Sequence, residues 1–422
     1  MVNEIIYTFK GIVLYMPVQI ERHEATDISK AKSWILVYGR RKTGKTYLLK
    51  NFTKWDYYFL VRKDGTVTYE ENGNHGTLSA LDLSRKVGDL LKSNKTVIVD
   101  EFQRLPQAFL EDISAFHPDG KLVLTGSSFR VMNEVFGKKS PVLGLLAEHK
   151  IGLVTPKDVL SSLSKHMPAP AAIEFGAFAR DPWLIPHLHF KDSLKELFDI
   201  SVHFQNAITS LMGEVFQEEE RSLTQLYESL LRLIGAGYQK SEDLLSIMSS
   251  RGLLKNGVSS AIVQYINNME RMDLVEELAV YPSKRKKAYL LRSPIFQMFY
   301  YLADRYDIEQ REIGFAQAQE AVRKVRNLAI QRFIGEVFAR SLDGRLEYSY
   351  EPELDFIITK KGRPVLVGEV KWGRYDRKDL HNFKQKSSDL DCRKVLVAPK
   401  RNGTLDGIEI IDASEIVQLS QR

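Results

Sequence analysis

The sequence predicts an α/β protein: a parallel sheet, then a helical middle section, then a second and smaller α/β unit. Three observations carry this. The apolar runs WILVY at 34–38, YYFLV at 57–61, TVIV at 96–99 and KLVLT at 121–125 read as strands buried on both faces. Helical patterns at 79–92 and 106–116 fall between them, which is the alternation of βαβ units. After a long helical stretch, the C-terminal part returns to short strands.

The 422 residues correspond to two to four domains at about 150 residues each. With 44% hydrophobic and 27% charged residues, the chain is neither disordered, collagen-like nor a coiled coil as a whole. Cys392 is the single cysteine, so an internal disulfide framework and a cysteine-based zinc site are excluded, and a reducing interior fits. The net charge of +6 is a mild bias toward polyanions. No stretch approaches 18 apolar residues, so no membrane span is expected. The apolar run at 11–20 is followed by Glu21, Arg22 and His23 without a small-residue cleavage site, and reads as a strand rather than a signal peptide. A cytoplasmic protein is expected.

The elements follow in order. The proline-rich HMPAPAA at 166–172 reads as a linker, and 192–248 is almost purely helical in period. Two strands at 275–281 and 288–291 flank a basic turn, and a further helix spans 309–342. Short strands then fall at 346–350, 355–359, 365–370, 395–398 and 408–411. The domains expected are 1–158, a nucleotide-binding domain; 159–226, a helical lid or linker; 227–308, three helices with a hairpin; and 309–422, the second α/β domain.

Residues 39–46 read GRRKTGKT and fit G-x-x-x-x-G-K-[ST], behind a buried strand and ahead of a helix. Gly39 and Gly44 let the backbone amides of Gly39, Arg40, Arg41, Lys42, Thr43 and Gly44 curl around the β- and γ-phosphates of ATP. The following helix points its positive end at the same anion. Lys45 places a charge on those phosphates, and the Thr46 hydroxyl is a ligand for Mg²⁺. TVIVDE at 96–101 supplies the rest: Asp100 at a strand end to hold Mg²⁺, and Glu101 as general base for the attacking water. Ser127, after KLVLT, is placed to sense the γ-phosphate, with a helix N-cap as the alternative. Arg104 and Arg130 are candidates to stabilise transition-state charge.

YGRRKTGKTYLL, VIVDEFQRL and LVLTGSS resemble the prokaryotic, chiefly archaeal, ATPases of the AAA+/STAND group. The resemblance covers nearly the whole chain. It implies a P-loop NTPase sheet, a winged helix and, in many members, a C-terminal nuclease-like domain. Relatives usually carry Ser-Pro-x-x-Gly-Arg after the sensor strand; here Ser140, Pro141 and Gly144 are present, but Leu145 replaces the arginine. They also tend to show glycine-x-proline-aromatic-leucine near the base; Pro182, Trp183 and Leu184 match, while Arg180 replaces the glycine.

Helical patterns at 227–236, 242–250 (with Ser241 as cap) and 259–272, then a two-strand wing, give a helix-turn-helix order with a hairpin. Lys284, Arg285, Lys286 and Lys287 at its tip fit a DNA backbone. The alternative is a regulatory lid with solvated charges.

In the last domain, Asp355 precedes an apolar strand, and GEVK delivers Glu369 and Lys371. Glu369 and Lys371 share one strand face, and Asp355 meets Glu369 across the hairpin. Mg²⁺ or Mn²⁺ held by Asp355 and Glu369, with Lys371 serving the attacking water, is the chemistry of phosphodiester hydrolysis. Glu336 is a further candidate carboxylate. The constellation resembles the restriction-endonuclease-like PD-(D/E)xK fold, although Leu354 stands where the motif has proline. A surface salt-bridge ladder is the alternative. Trp372 and Tyr375 beside Arg374 and Arg377 read either as an aromatic cluster or as a nucleic-acid groove. The expectation is a DNA-engaging ATPase with metal-dependent nuclease chemistry, with a homo-oligomer or a protein partner as a further expectation. The rival is a non-nucleolytic nucleotide switch.

Overall fold

The computed structural model describes residues 7–9, 12–14, 18–127, 131, 135–218, 224–253, 259–283, 285–401 and 407–422. A short hairpin, β1 (Tyr7–Phe9) and β2 (Ile12–Leu14), precedes the first sheet. That sheet uses β3 (Trp34–Tyr38), β4 (Tyr57–Val61), β5 (Thr66–Glu71), β6 (Asn74–Ser79), β7 (Thr96–Asp100), β8 (Lys121–Gly126) and β9 (Leu146–Lys150), in spatial order β6-β5-β4-β7-β8-β3-β9. The pairs β4/β7, β7/β8, β8/β3 and β3/β9 are parallel, whereas β5 and β6 form an antiparallel extension.

Every residue of β3 is buried. Trp34 and Leu36 pack into a core with Phe59, Val87, Leu91 and Ile113, while Ile35 and Val37 pack opposite with Leu48, Leu49 and Ile98. The period-2 alternation thus serves two apolar faces. The parallel strands end together, which aligns residues 39, 100 and 126 along one edge of the sheet.

The segment at 166–172 is not a linker. The helix Ala169–Ala179 begins inside it, with Pro168 as N-cap and Pro170 in the first turn, where proline lacks no needed N–H. Ala172, Ile173, Phe175 and Phe178 are buried. The helices Ser193–His203 and Gln205–Glu218 continue this section.

Next come the helices Gln225–Ala236, Ser241–Ser250 and Ser259–Arg271. Ser241 is the first helical residue rather than the cap, which is Lys240. The antiparallel hairpin β10 (Val275–Ala279) and β11 (Lys287–Leu291) follows, and Lys240 bridges to Ala288 beside it. This hairpin is docked: Tyr281 N donates to Tyr348 O at 2.7 Å, and Leu278, Val280 and Leu290 cluster with Leu346, Tyr348 and Tyr350.

The second sheet contains β12 (Arg345–Tyr350), β13 (Glu353–Lys360), β14 (Arg363–Val370), β15 (Arg393–Ala398) and β16 (Glu409–Asp412), in that spatial order. The first three are mutually antiparallel and the last two join in parallel. The helix Phe315–Ser341 covers one face. Its Phe333 and Phe338 share a core with Phe356, Leu366 and Val370, and that core continues into the helical middle through Ile173 and Phe178. Among the described residues no helix is long and apolar enough to cross a membrane.

Candidate nucleotide and metal sites

The loop after β3 is shaped by two glycines. A Cβ on Gly39 would lie 2.0 Å from the Ile151 carbonyl oxygen, so no larger residue fits. Gly44 adopts φ +85° and caps the helix Lys45–Phe52. Lys45 Nζ donates to the carbonyls of Gly39 (2.8 Å) and Arg40 (3.0 Å). Thr43 Oγ1 donates to the same Arg40 oxygen at 2.8 Å.

Behind the loop, Thr46 Oγ1 donates to Asp100 Oδ2 at 2.7 Å, and Tyr58 Oη donates to that oxygen as well. Asp100 Oδ1 is buried without a hydrogen-bond partner. Burial pushes the Asp100 carboxyl upward, against the pull of the Tyr58 and Thr46 hydrogen bonds. A buried acid with one unused oxygen, beside a threonine hydroxyl and a phosphate-type loop, fits a Mg²⁺–nucleotide pair.

Glu101 follows in the left-handed region at φ +60°. Its Oε2 accepts from Gln103 Nε2 at 2.7 Å and from Ser127 Oγ at 3.3 Å, and pairs with Arg104 at 3.1 Å. Glu101, Ser127 and the Asp100 pair are thereby gathered at the ends of adjacent strands. Arg104 also donates to the Val61 carbonyl at 2.7 Å. Ser128 and Arg130 lie outside the described residues.

The loop arginines point away. Arg41 pairs with Glu214 at 2.8 Å. Arg40 forms a two-oxygen pair with Asp181, with its guanidinium 5.2 Å from the Phe296 ring centroid. The Arg40 backbone belongs to the loop, while its side chain is a strut to the helical section. Sequence reading also missed Arg22, which donates to the Thr43 carbonyl at 2.9 Å. A lone arginine before the first helix carries no signal of that role.

The fold and loop define a P-loop nucleotide-binding domain. A family model described as "AAA domain" matches residues 31–139. No curated protein matches the chain. Similar solved structures include the Aeropyrum pernix ORC2 protein with ADPNP and ADP, at 13% identity over 74% of this chain and 95% of that one, with a TM-score of 0.40. The Aeropyrum pernix ORC1 protein in complex with DNA has 14% identity, coverage of 70% and 96%, and a TM-score of 0.28. Cdc6p from Pyrobaculum aerophilum has 14% identity, coverage of 70% and 97%, and a TM-score of 0.24.

In the second sheet, Phe356 pairs with Gly368, so the next position sets Asp355 opposite Glu369. Asp355 Oδ2 accepts from Val370 N at 2.7 Å. Lys371 Nζ lies 3.0 Å from Glu369 Oε1 and 3.5 Å from Asp379 Oδ1. Burial, and next the Glu369 charge, push the Asp355 carboxyl up to about 7. Burial works against the Lys371 ammonium, but the Glu369 hydrogen bond and charge outweigh it and raise its pKa. Two close, largely buried carboxylates with one raised this far fit a divalent cation. Asp379, which also closes a capping box with Asp376, was not legible as part of this group.

Glu336 is not available to that centre. Arg180 holds it from two nitrogens at 2.8 and 2.6 Å, and Arg332 lies 3.5 Å away. Trp372 and Tyr375 are 6% and 5% exposed and are packed in separate cores, Trp372 with Phe356 and Val370 and Tyr375 with Leu354 and Phe383, and Trp372 Nε1 donates to Glu174 at 2.9 Å, so neither lines a groove. Arg374, Arg377, Lys378, Lys384 and Lys386 remain on the surface nearby, and the Lys386 charge reaches Asp355. At the hairpin tip, Arg285 and Lys286 are exposed, Lys287 pairs with Glu277, and Lys284 lies outside the described residues.

Proposed function

We propose that this chain binds and hydrolyses ATP with Mg²⁺ and couples that cycle to DNA, with a metal-dependent nuclease-like centre in its C-terminal domain. The observation that carries the ATPase reading is the grouping of Thr46, Asp100, Glu101 and Ser127 at the ends of neighbouring parallel strands, beside the Lys45 loop. Loop amides and Lys45 bind the phosphates. Glu101 takes a proton from the attacking water, held in place by Gln103 and Ser127. Mg²⁺, when bound by Thr46 and Asp100, neutralises charge on the phosphates. The test is ATP turnover by wild type against Lys45→Ala.

DNA is the partner favoured by charge. The three helices and hairpin read as a winged helix whose exposed Arg285 and Lys286 meet phosphates, and the basic surface from Arg374 to Lys386 flanks Asp355 and Glu369. Asp355 and Glu369 hold Mg²⁺ or Mn²⁺, and Lys371 orients water near the phosphodiester. A second reading, a STAND-type switch without nuclease chemistry, is favoured by Lys371 lying between Glu369 and Asp379 as an ion ladder. Metal-dependent nicking of plasmid DNA separates the two.

A further inference from the structure

The start of the helix His23–Lys30 meets the start of the helix Pro156–Leu163. There His23 Nδ1 lies 2.7 Å from Asp158 Oδ2 and 3.3 Å from Glu24 Oε2. Among the described residues, this is the one group of three His, Cys, Asp or Glu side chains whose ligand atoms all fall within 4.8 Å of one another. It is not a local accident of sequence, because His23 and Asp158 stand 135 residues apart.

The group has a buried floor and an open side. Asp158 is 7% exposed, whereas His23 is exposed. Each carboxylate is also held by a further neighbour. Arg22 Nη2 donates to Glu24 Oε1 at 2.6 Å, and Thr155 Oγ1 donates to Asp158 Oδ2 at 2.9 Å. Burial works against the Glu24 carboxylate, but the Arg22 hydrogen bond and charge outweigh it and hold its pKa below the ordinary value. Neighbours that orient and ionise ligand oxygens in this way are what a metal centre needs around its ligands.

We propose that His23 Nδ1, Glu24 Oε2 and Asp158 Oδ2 form a binding site for Zn²⁺ that clasps the two helices together. One imidazole with two carboxylates suits Zn²⁺, whereas Mg²⁺ and Mn²⁺ favour oxygen ligands. Zn–N and Zn–O bonds of about 2.0–2.2 Å set tetrahedral ligand atoms about 3.3 Å apart. The pair of His23 and Glu24 atoms already meets this spacing. The pair of His23 and Asp158 atoms opens by about 0.6 Å as the ion replaces the proton between them, and the neutral imidazole keeps its proton on Nε2. Water takes the fourth position from the open side. The Arg22 Nε contact with Glu24 Oε2, at 3.2 Å, gives way, while Glu24 Oε1 stays with Arg22. Arg22 also donates to the carbonyls of Thr43 at 2.9 Å and Gly152 at 3.2 Å, so the ion lies one side chain from the phosphate loop.

The test is Zn²⁺ titration of the full chain by calorimetry, together with its unfolding temperature in Zn²⁺ and in EDTA. The parent protein carries Asp355→Ala and Glu369→Ala, so that the C-terminal carboxylates do not compete for the ion. It is expected to take up one equivalent of Zn²⁺ and to melt higher with the ion than in EDTA. Adding His23→Ala, at an exposed position, is expected to weaken Zn²⁺ binding at least tenfold and to remove the rise in unfolding temperature. Asp158→Asn, which keeps a side-chain oxygen for Thr155, is expected to do the same from the other helix. A parent that neither binds Zn²⁺ nor gains stability from it overturns the site. So does uptake that survives His23→Ala, because the imidazole is then no ligand.

Discussion

Arg40 of the phosphate loop and Asp181 form an ion pair at 3.0 and 3.1 Å, with side chains 1% and 0% exposed. The neighbouring Arg180 holds Glu336 on the helix Phe315–Ser341. Two adjacent residues at the end of one helix therefore grip the loop on one side and the C-terminal domain on the other. Earlier in that helix, Glu174 accepts from Trp372, the residue after Lys371. The helix Ala169–Ala179 and its cap touch both candidate sites, which makes it the rigid piece between them.

The pair is costly to break. Asp181→Ala leaves a buried guanidinium with two nitrogens already unpartnered and no counter-charge. The expected loss is about 3–5 kcal/mol of stability, seen as a lower unfolding temperature. Arg40→Met combined with Asp181→Leu is expected to recover most of it, because no charge is then buried. A single variant as stable as wild type would show that Arg40 escapes to water.

In the phosphate site, Lys45→Ala is expected to lose nucleotide binding. Glu101→Gln is expected to bind ATP normally and turn it over about 10²- to 10⁴-fold more slowly. Single-turnover hydrolysis with radiolabelled ATP measures this. An unchanged rate in Glu101→Gln places the base elsewhere.

Much of the first domain was legible because its signals are local. The WILVY and TVIVDE runs and the GRRKTGKT loop each carry strand, turn and chemistry within ten residues, and they fold where the pattern puts them. The β5–β6 extension was not read, since TVTYEE and NHGTLS are polar and only half-buried. HMPAPAA misled because proline usually breaks a pattern, yet at a helix start it is compatible. Glu336 misled for another reason. A carboxylate on a helix ahead of the metal-type motif looks available until the fold brings Arg180 against it from a distant segment. Ion partners distant in sequence leave no mark in a single chain.

At the hairpin, the four-charge tip reduces to Arg285 and Lys286 among the described residues, since Lys287 is tied to Glu277. Arg285→Ala with Lys286→Ala is expected to lower the slope of log affinity against log salt by about 0.9 per lost phosphate contact, on duplex DNA titrated by anisotropy. Lys287→Ala alone is expected to change it little. An unaltered slope in the double variant returns the hairpin to the role of a packing lid.

Asp355 sets a pH dependence. Its folded pKa, about 7, stands above its ordinary 3.8. Between those values the folded state holds a proton that the unfolded chain releases, so stability falls as pH rises through the window. Below about pH 4 both states are protonated and the effect vanishes. Asp355→Asn removes the titration. In metal-free buffer it is expected to melt higher than wild type at pH 8 and alike near pH 4. A variant that melts lower at pH 8 would show that the carboxylate is stabilised there by a partner, such as the Lys371 ammonium.

The nuclease reading stands or falls on three side chains. Asp355→Ala and Glu369→Ala are expected to abolish Mn²⁺ binding and plasmid nicking, and to leave ATP turnover within about twofold, because the nucleotide groups lie on the other sheet. Lys371→Ala is expected to stop nicking while Mn²⁺ still binds, since both carboxylates remain. The ladder reading predicts a different set. Lys371 then holds Glu369 at 3.0 Å and Asp379 at 3.5 Å as a structural tie. Losing it leaves Glu369, 7% exposed, without its cation and lowers the unfolding temperature, while wild type neither binds Mn²⁺ nor nicks DNA. Nicking that persists in Glu369→Ala would assign the activity to another centre altogether.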